Sequence, residues 1–291
     1  MRRKESAAGF LFAAPWLLGM AIFLLYPLAA SLYYSFCDYS ILKPPMNVGA
    51  ANYAELMGDQ VFWKVGANTL IYAALSLPAS ILVALGLAML LNNKVRALPV
   101  FRTLFFLPSL VPQVALAVLW LWIFNSEHGI FNVLLEHIGI SGPNWLGSPA
   151  WTKPCLAVMA VWGSGNMMVI YLASLQDVPA SYIEAAELDG AGAWARTWHI
   201  TLPMISPIIF FNLITGMIGS LQVFTVPYVM FPDGTPARSS YFYTTYLFDN
   251  AFKFNKMGYA SAMAWIMLIC ILVLTAVAAK LSAKHVYYEG A

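Results

Sequence analysis

Charge is what this sequence has least of. Asp, Glu, Lys and Arg make up 10% of its 291 residues, against about 25% in an ordinary soluble domain, while hydrophobic residues reach 61%. A single globular core of this length cannot hide that excess, so the composition points to a membrane protein. The net charge of +2 is too small to argue for a nucleic-acid partner. Cysteine is also scarce. Cys37, Cys155 and Cys270 are widely separated and lack metal-ligand spacing, and the latter two sit in apolar runs, where a packing role is expected. His128, His137, His199 and His285 are isolated, whereas a metal site needs histidines clustered with carboxylates. There is no G-x-x-x-x-G-K-S/T stretch, so the chain carries no phosphate-binding P-loop of its own. Catalytic serine and cysteine signatures are absent too, and the acidic cluster at 177–189 has no partner base or metal ligand that would suggest a membrane-embedded enzyme.

What is present is a series of long apolar runs. Six reach about the 20 residues needed to cross a bilayer: roughly 9–36, 67–91, 104–124, 154–176, 206–230 and 258–281. The first follows Met1-Arg2-Arg3-Lys4 but is too long for the ~7–15-residue core of a signal peptide, so it is read as a membrane helix. Six spans put both termini on one side. Arg2, Arg3, Lys4, Lys94, Arg96, Arg102, Lys280 and Lys284 crowd the termini and the 92–103 loop, while Lys43, Lys64, Lys153, Arg238, Lys253 and Lys256 are spread over longer, mixed-charge loops. The positive-inside rule then makes both termini and the 177–205 loop cytoplasmic. Prolines 15, 27, 78, 108, 112, 207 and 227 fall in or beside the spans and shape them. Kinks at Pro108 and Pro227 could also help helices rock between two states.

The outer loops look compact. Asn52 to Trp63 is rich in aromatics, Phe131 to His137 has apolar residues at helical spacing, and Phe231-Pro-Asp-Gly-Thr-Pro236 should be a tight turn. By themselves these aromatics fit anchors at the membrane interface.

Inside the spans the polar residues are neutral. Gln113, Asn68, Ser164, Asn212 and the sets Trp162, Gly163, Asn166, Met167 and Gly219, Ser220, Gln222 combine amides and hydroxyls with flat apolar faces and small residues. Ion-coupled transporters place carboxylates, His or Lys in such positions, so a secondary transporter is the weaker reading. Neutral hydrogen-bonding groups suit a hydroxyl-rich, uncharged ligand. They would equally serve to bond one helix to another.

The segment from Asp177 to Pro203 is the most heavily specified part of the chain. Pro179 can begin a turn. Ser181 and Glu184 have the spacing of a capping box, and Asp177, Glu184, Glu187 and Asp189 place negative charge near the start of a short helix. Ala185 and Ala186 leave a face without bulk. Gly190 and Gly192 end the helix, with positive φ expected at Gly190, and Leu202-Pro203 turns the chain back toward the membrane. A surface loop of this kind suggests docking.

Glu184-Ala185-Ala186, Asp189-Gly190-Ala191 and Ile200-Thr-Leu-Pro203 resemble the EAA loop of bacterial binding-protein-dependent ABC importers. Phe101-Arg-Thr103, Leu107-Pro108, Trp120 to Asn125, Leu172 to Gln176, Met257 to Ala262 and Tyr287 to Gly290 are similar to the sugar-permease branch, the relatives of the maltose permease subunits. Two stretches depart from that pattern: Gln222-Val223 stands where an asparagine-rich motif is usual, and Asp233 and Thr235 alter a Gly-Gly-Pro turn. The resemblance implies an all-α integral membrane protein of six transmembrane helices with type I importer permease architecture. Residues 1–291 would form one permease domain with a coupling loop at about 177–205. It implies that Glu184, Ala185, Ala186, Asp189, Gly190, Leu202 and Pro203 engage a cytoplasmic ATPase. Gln113, Trp162, Asn166, Met167, Gly219, Ser220 and Gln222 are the candidates for the substrate path. The chain would bind no cofactor, with ATP and Mg on the partner ATPase. Expected partners are a second permease subunit (a homologue in a heterodimer, or another copy), two ATPases, an extracytoplasmic substrate-binding protein, carbohydrate and membrane lipid. The expected location is the bacterial inner membrane. A polyol or a glycerol phosphate remains an alternative cargo.

Overall fold

In the computed structural model, residues 12–93 and 97–282 are described. Arg2, Arg3, Lys4, Lys94, Arg96, Lys284, His285 and the Tyr287–Gly290 stretch lie outside them, as does the start of the first expected span.

The described chain is helical apart from one small hairpin. Helix α1, Phe12–Ser35, contains a π turn at Ala21–Leu25 just before Pro27; proline has no N–H to give to the preceding turn, and the wider turn absorbs the defect. A hairpin of β1 (Cys37–Ser40) and β2 (Lys43–Asn47) follows. No alternating pattern announces it, and Pro44 and Pro45 are tolerated because both strands of a two-stranded sheet are edges. Next come α2 (Ala51–Gly58), α3 (Gln60–Leu91), α4 (Leu98–Phe106, continued by a 3₁₀ turn to Leu110), α5 (Gln113–Ile123) and α6 (Ile130–His137). Helices α7 (Thr152–Trp162), α8 (Gly165–Gln176), α9 (Ala180–Leu188) and α10 (Ala193–Arg196) precede α11 (Ser206–Leu221), α12 (Thr225–Met230), α13 (Tyr243–Phe248) and α14 (Met257–Ser282).

Phe12–Ser35, Gln60–Leu91, Ser206–Met230 and Met257–Ser282 are long and apolar enough to cross a membrane unaided. The other two expected spans are broken. Leu98–Leu110 and Gln113–Ile123 meet at 100°, and α7 meets α8 at 45°. With each bent pair counted as one span there are six. The larger bend is set by Pro112. Val111, which precedes it, is pushed to extended backbone (ψ 127) and cannot continue the helix. The kink expected at Pro108 is thus a full break four residues later. By contrast Pro78 lies inside the unbroken α3.

The chain forms two compact units. One takes its described residues from Met1–Phe62 and Tyr246–Cys270, the other from Trp63–Thr245 and Ile271–Ala291. In the first, the Asn52 amide donates to the carbonyls of Ser35 and Cys37, both at 2.9 Å, tying the hairpin's root to α2. Asp59 caps the end of α2 and accepts from the hydroxyls of Tyr246 (2.5 Å) and Tyr259 (2.6 Å) and from the Val61 N–H (2.8 Å). Lys256 pairs with Glu55 at 3.0 Å, and Lys253 with the buried Asp249 at 2.9 Å.

The second unit has a core at each end. At one, Tyr72, Trp120, Phe124, Leu156, Met159, Met230 and Phe242 pack together, joined by Phe131 and Trp145 from the 125–151 loop. At the other, Ala84, Ala88 and Leu91 of α3 pack on Met168, Tyr171, Leu172 and Leu175 of α8 and on Ile205. The 231–236 segment is the expected tight turn, with Asp233 and Gly234 at φ 54 and 71. It passes on to a loop fastened to α3, where Lys64 donates to the Ala237 carbonyl (2.7 Å) and Asn68 to the Arg238 and Tyr241 carbonyls (2.9 Å each). Asn68 is therefore a clamp on that loop. Of the cysteines, Cys37 and Cys155 are buried, but Cys270 is exposed in this chain, so the packing role expected for it is not met here.

Candidate functional site

Helix α9 begins at Ala180, with Pro179 as its N-cap at φ −62, ψ 128 and the Pro179 carbonyl accepting from the Tyr182 N–H at 3.2 Å. Ser181 therefore sits inside the first turn, and the capping box expected from Ser181 and Glu184 does not form: the cap has no side-chain hydrogen bond. Nor is there an acidic residue in the first turn. Asp177 ends α8, and Glu187 and Asp189 lie at the far end of α9. Glu187 is held instead by Arg196 of α10.

The C-terminus of α9 is a complete Schellman motif. Gly190 has φ +80, its N–H donates to the Glu187 carbonyl (3.0 Å), and the Ala191 N–H reaches back to Ala186 (2.9 Å). Gly192 starts α10 instead of ending α9. No residue of α9 is buried, and Leu188 is 90% exposed. A nine-residue helix is marginal by itself in water. Its two flanks, however, are anchored: Val178 on one side and Leu202 with Ile205 on the other pack into the same cluster of α3 and α8 residues. Glu184, Ala185, Asp189 and Gly190 are exposed, and Ala186, Leu202 and Pro203 are half-buried. The loop is clamped at its ends and bare in the middle.

The other candidate residues are collected around two adjoining cavities in the same unit. The first, of ≈ 360 Å³, is lined by Ser109, Val111, Gln113, Leu156, Met159, Gln222, Phe224 and Thr225 among others. The second, of ≈ 300 Å³, is lined by Ser76, Leu77, Ser80, Ser164, Asn166, Met167, Gly216 and Ser220. Tyr72, Ala160, Gly163 and Gly219 line both. Gln113 and Gln222 thus face the first cavity, Asn166, Met167 and Ser220 the second, and Gly219 both. Trp162 lines neither. It lies edge-on to Trp120 at 5.8 Å. Asn212 is buried and donates to the Ile208 carbonyl of its own helix.

Three interrupted spans meet here. The break at Val111–Pro112, the bend at Gly163–Ser164 and the irregular residues Gln222 to Phe224 all border the first or second cavity. Non-helical backbone at membrane depth is tolerated where it lines a cavity or is buried in protein. No Asp, Glu, Lys, Arg or His lines either cavity. Sequence reasoning missed Tyr72, Ser76 and Ser80. The signal was there: with Asn68 they recur every four residues along α3, a polar stripe on one helix face.

Residues 76–286, from this stripe through the bare loop to the end of α14, match the model of the family described as binding-protein-dependent transport system inner membrane component. The chain belongs to that family. It is 38% identical over 99% of its length to a probable ABC transporter permease protein, YesP, of Bacillus subtilis (strain 168), covering 94% of that relative. It is 35% identical to the lactose transport system permease protein LacF of Rhizobium radiobacter, over 94% of each chain. Its fold matches that of a chain in the crystal structure of a bacterial ABC transporter involved in the import of the acidic polysaccharide alginate, with TM-score 0.83, 24% identity, and coverage of 97% of this chain and 96% of that one. The permease is a membrane-spanning transport subunit, and members of its family are non-catalytic.

Proposed function

We propose that this permease carries an uncharged saccharide across the inner membrane, driven by a separate ATPase that docks on α9. The observation that carries the cargo assignment is the uncharged wall of the two cavities, in which amides, hydroxyls and the Tyr72 ring are the recognition groups. Saccharides are bound by such neutral donors and acceptors together with flat apolar faces, and the 35% identity to a lactose transport system permease supports the same class. A glycerol phosphate would bring charge into a wall with no cation, which makes it the poorer fit.

The ATPase assignment rests on α9, a helix with no buried face in its own chain whose flanks are packed on α3 and α8. A push on α9 would reach the cavity-lining spans through Leu202 and Ile205. The chain itself has no P-loop, so nucleotide and Mg would be bound by the ATPase. The family's dependence on a binding protein supports a soluble partner that delivers cargo on the side of the 125–151 loop. A second permease subunit would complete the path, with two ATPases beneath. Both termini would be cytoplasmic by the distribution of basic residues.

The test is uptake of labelled saccharides into vesicles holding the full complex, with ATP trapped inside and the proton gradient collapsed. Uptake that needs ATP supports the reading. Uptake that follows the gradient and ignores ATP overturns it.

A further inference from the structure

The two cavities share a boundary, and the spans agree on how they are arranged. Along α3 the first cavity touches Tyr72, and the second reaches on to Ser76 and Ser80. Along α7 and α8 the first touches Leu156 and Met159, the second Ser164 and Met167. Along α11 and α12, which run the other way, the first touches Gln222 to Val226 and the second Gly216 and Ser220. Each helix therefore places the second cavity nearer the core that holds Ala84, Leu175 and Ile205, on the side of the α9 loop. The residues common to both cavities lie between: Tyr72, Ala160, Gly163 and Gly219.

We infer that the two cavities are successive stations of one path through the permease, and that the four shared residues form a neck whose width is set by the missing side chains of Gly163 and Gly219. This rests on the saccharide-carrying reading above and adds its size filter. The glycines are informative because nothing in the packing demands them. A Cβ at Gly219 would meet no atom within 4 Å, and one at Gly163 would make only ordinary 3.6 Å contacts with the carbonyls of Ala160 and Met159. Neither has the positive φ that requires glycine. Nearby Gly216 differs: its Cβ would come within 2.5 Å of Leu77 and 2.9 Å of Met167, so there the helices' approach demands glycine. At 163 and 219 the space left open is space between the stations. Tyr72, buried on the opposite helix, presents a ring there of the kind on which a sugar face packs. Each station lies at the lower end of the size range of small-ligand pockets, about 300–1,000 Å³. An extended saccharide in transit would therefore thread the neck.

The experiment uses the complete transporter in membrane vesicles of each orientation, with the native cysteines replaced. A reporter thiol is placed in the first station as Gln113→Cys or in the second as Ser80→Cys, and Ala150→Cys marks the face carrying the 125–151 loop. A small impermeant methanethiosulfonate cation is added to that face. With the glycine neck, both reporters should react. With Gly219→Val the Gln113→Cys thiol should react as before, while the Ser80→Cys thiol slows by about tenfold or more. Gly219→Ala and Gly163→Ala should give graded, smaller effects, and they stand in if the valine variant does not assemble. Equal labelling of Ser80→Cys with and without Gly219→Val overturns the neck, as does a Ser80→Cys thiol that is unreactive from that face while the neck is glycine. Saccharide uptake is measured in parallel. Slowed labelling of Ser80→Cys by Gly219→Val, in a transporter that imports no saccharide even with its glycine neck, keeps the neck and rejects the cargo. Undiminished uptake and labelling in Gly219→Val keeps the cargo and rejects the neck.

Discussion

Gly258, in the first turn of α14, lies directly against the carbonyl oxygen of Cys37 at the root of the hairpin, with the Asn52 amide beside it. A Cβ at 258 would overlap that oxygen and come within 3.2 Å of the amide nitrogen. Because the obstacle is backbone, a rotamer change cannot relieve it.

Gly258→Ala should therefore destabilise the protein by about 1–3 kcal/mol, the usual range for overpacking. Gly66→Ala, on α3 with open space at its Cβ, is the matched control and should be neutral or slightly stabilising. Thermal unfolding in detergent compares them, and equal midpoints would remove the close approach as an explanation.

Gly190 is demanded by conformation instead of space. A Cβ there meets nothing, but φ is +80. A left-handed backbone costs an L-residue about 1–2 kcal/mol. Gly190→Val should thus unwind the end of α9 while leaving the spans inserted. The expected outcome is loss of ATPase co-purification with normal amounts of permease in the membrane. Full retention of the ATPase and full transport would speak against α9 as the docking helix.

Asp59 makes stability depend on pH. Burial, the largest influence, raises its carboxyl, but the hydroxyls of Tyr246 and Tyr259 and the N–H groups of Val61 and Phe62 together hold it below the ordinary carboxylate value. A depressed folded pKa means that the ionised carboxylate's contribution is present above the unfolded value, about 4, and is lost as pH falls through the folded one. The unfolding midpoint should drop over that acid window more steeply in the parent than in Asp59→Asn. Tyr246→Phe, which deletes one donor, should fall between. Parallel curves for all three would show that the cluster does not titrate as described.

Asn166→Ala and Gln222→Ala each remove a donor–acceptor pair from a cavity wall. A lost hydrogen bond of this kind costs about 0.5–1.5 kcal/mol, so transport should fall partially, by up to about tenfold, with the ATPase still attached. Trp162→Ala, which touches neither cavity, should affect stability more than transport. Uptake kinetics beside thermal melts separate the two effects, and a transport defect confined to Trp162→Ala would reverse the assignment.

Sidedness is checked with single cysteines at Glu187 and Ala150, both exposed. The first should be labelled from the cytoplasm only, the second from outside only. Gly147 is unsuited to this, because a side chain there would collide with Asn144.

The spans were legible because apolar length is a direct physical demand of the bilayer. The place of the break was not: a kink was expected near Pro108, whereas the chain turns at Val111–Pro112, where proline constrains the residue before it. Gly190 was legible because the Schellman end of a helix has a strong residue preference. The start of α9 was not. Pro179 presets φ for the turn, so the helix begins one residue before Ser181, which then lies inside the first turn and no longer stands at the N-cap position a capping box needs. Tyr72, Ser76 and Ser80 escaped because hydropathy averages them into an apolar helix, and only their spacing gives them away. Trp162 stands apart from the cavities for the converse reason. A tryptophan beside small polar residues suggests a sugar platform, but its ring lies edge-on to Trp120, which stands 42 positions earlier in the chain and is invisible to any local pattern.

The right-angled junction between α4 and α5 also bears on how the chain is made. The α5 half is 11 residues long, well short of the ~20 that hold a helix across a bilayer, and the α4 half with its 3₁₀ turn is also short. Neither half reaches that length alone, and non-helical backbone such as that at Val111–Pro112 is tolerated at membrane depth where protein covers it or it lines a cavity. The cover comes from α8, whose Gly165 lies against the Phe105 carbonyl of α4. The third span is therefore completed by chain that follows it in the sequence, and its insertion is expected to need a segment that is translated later.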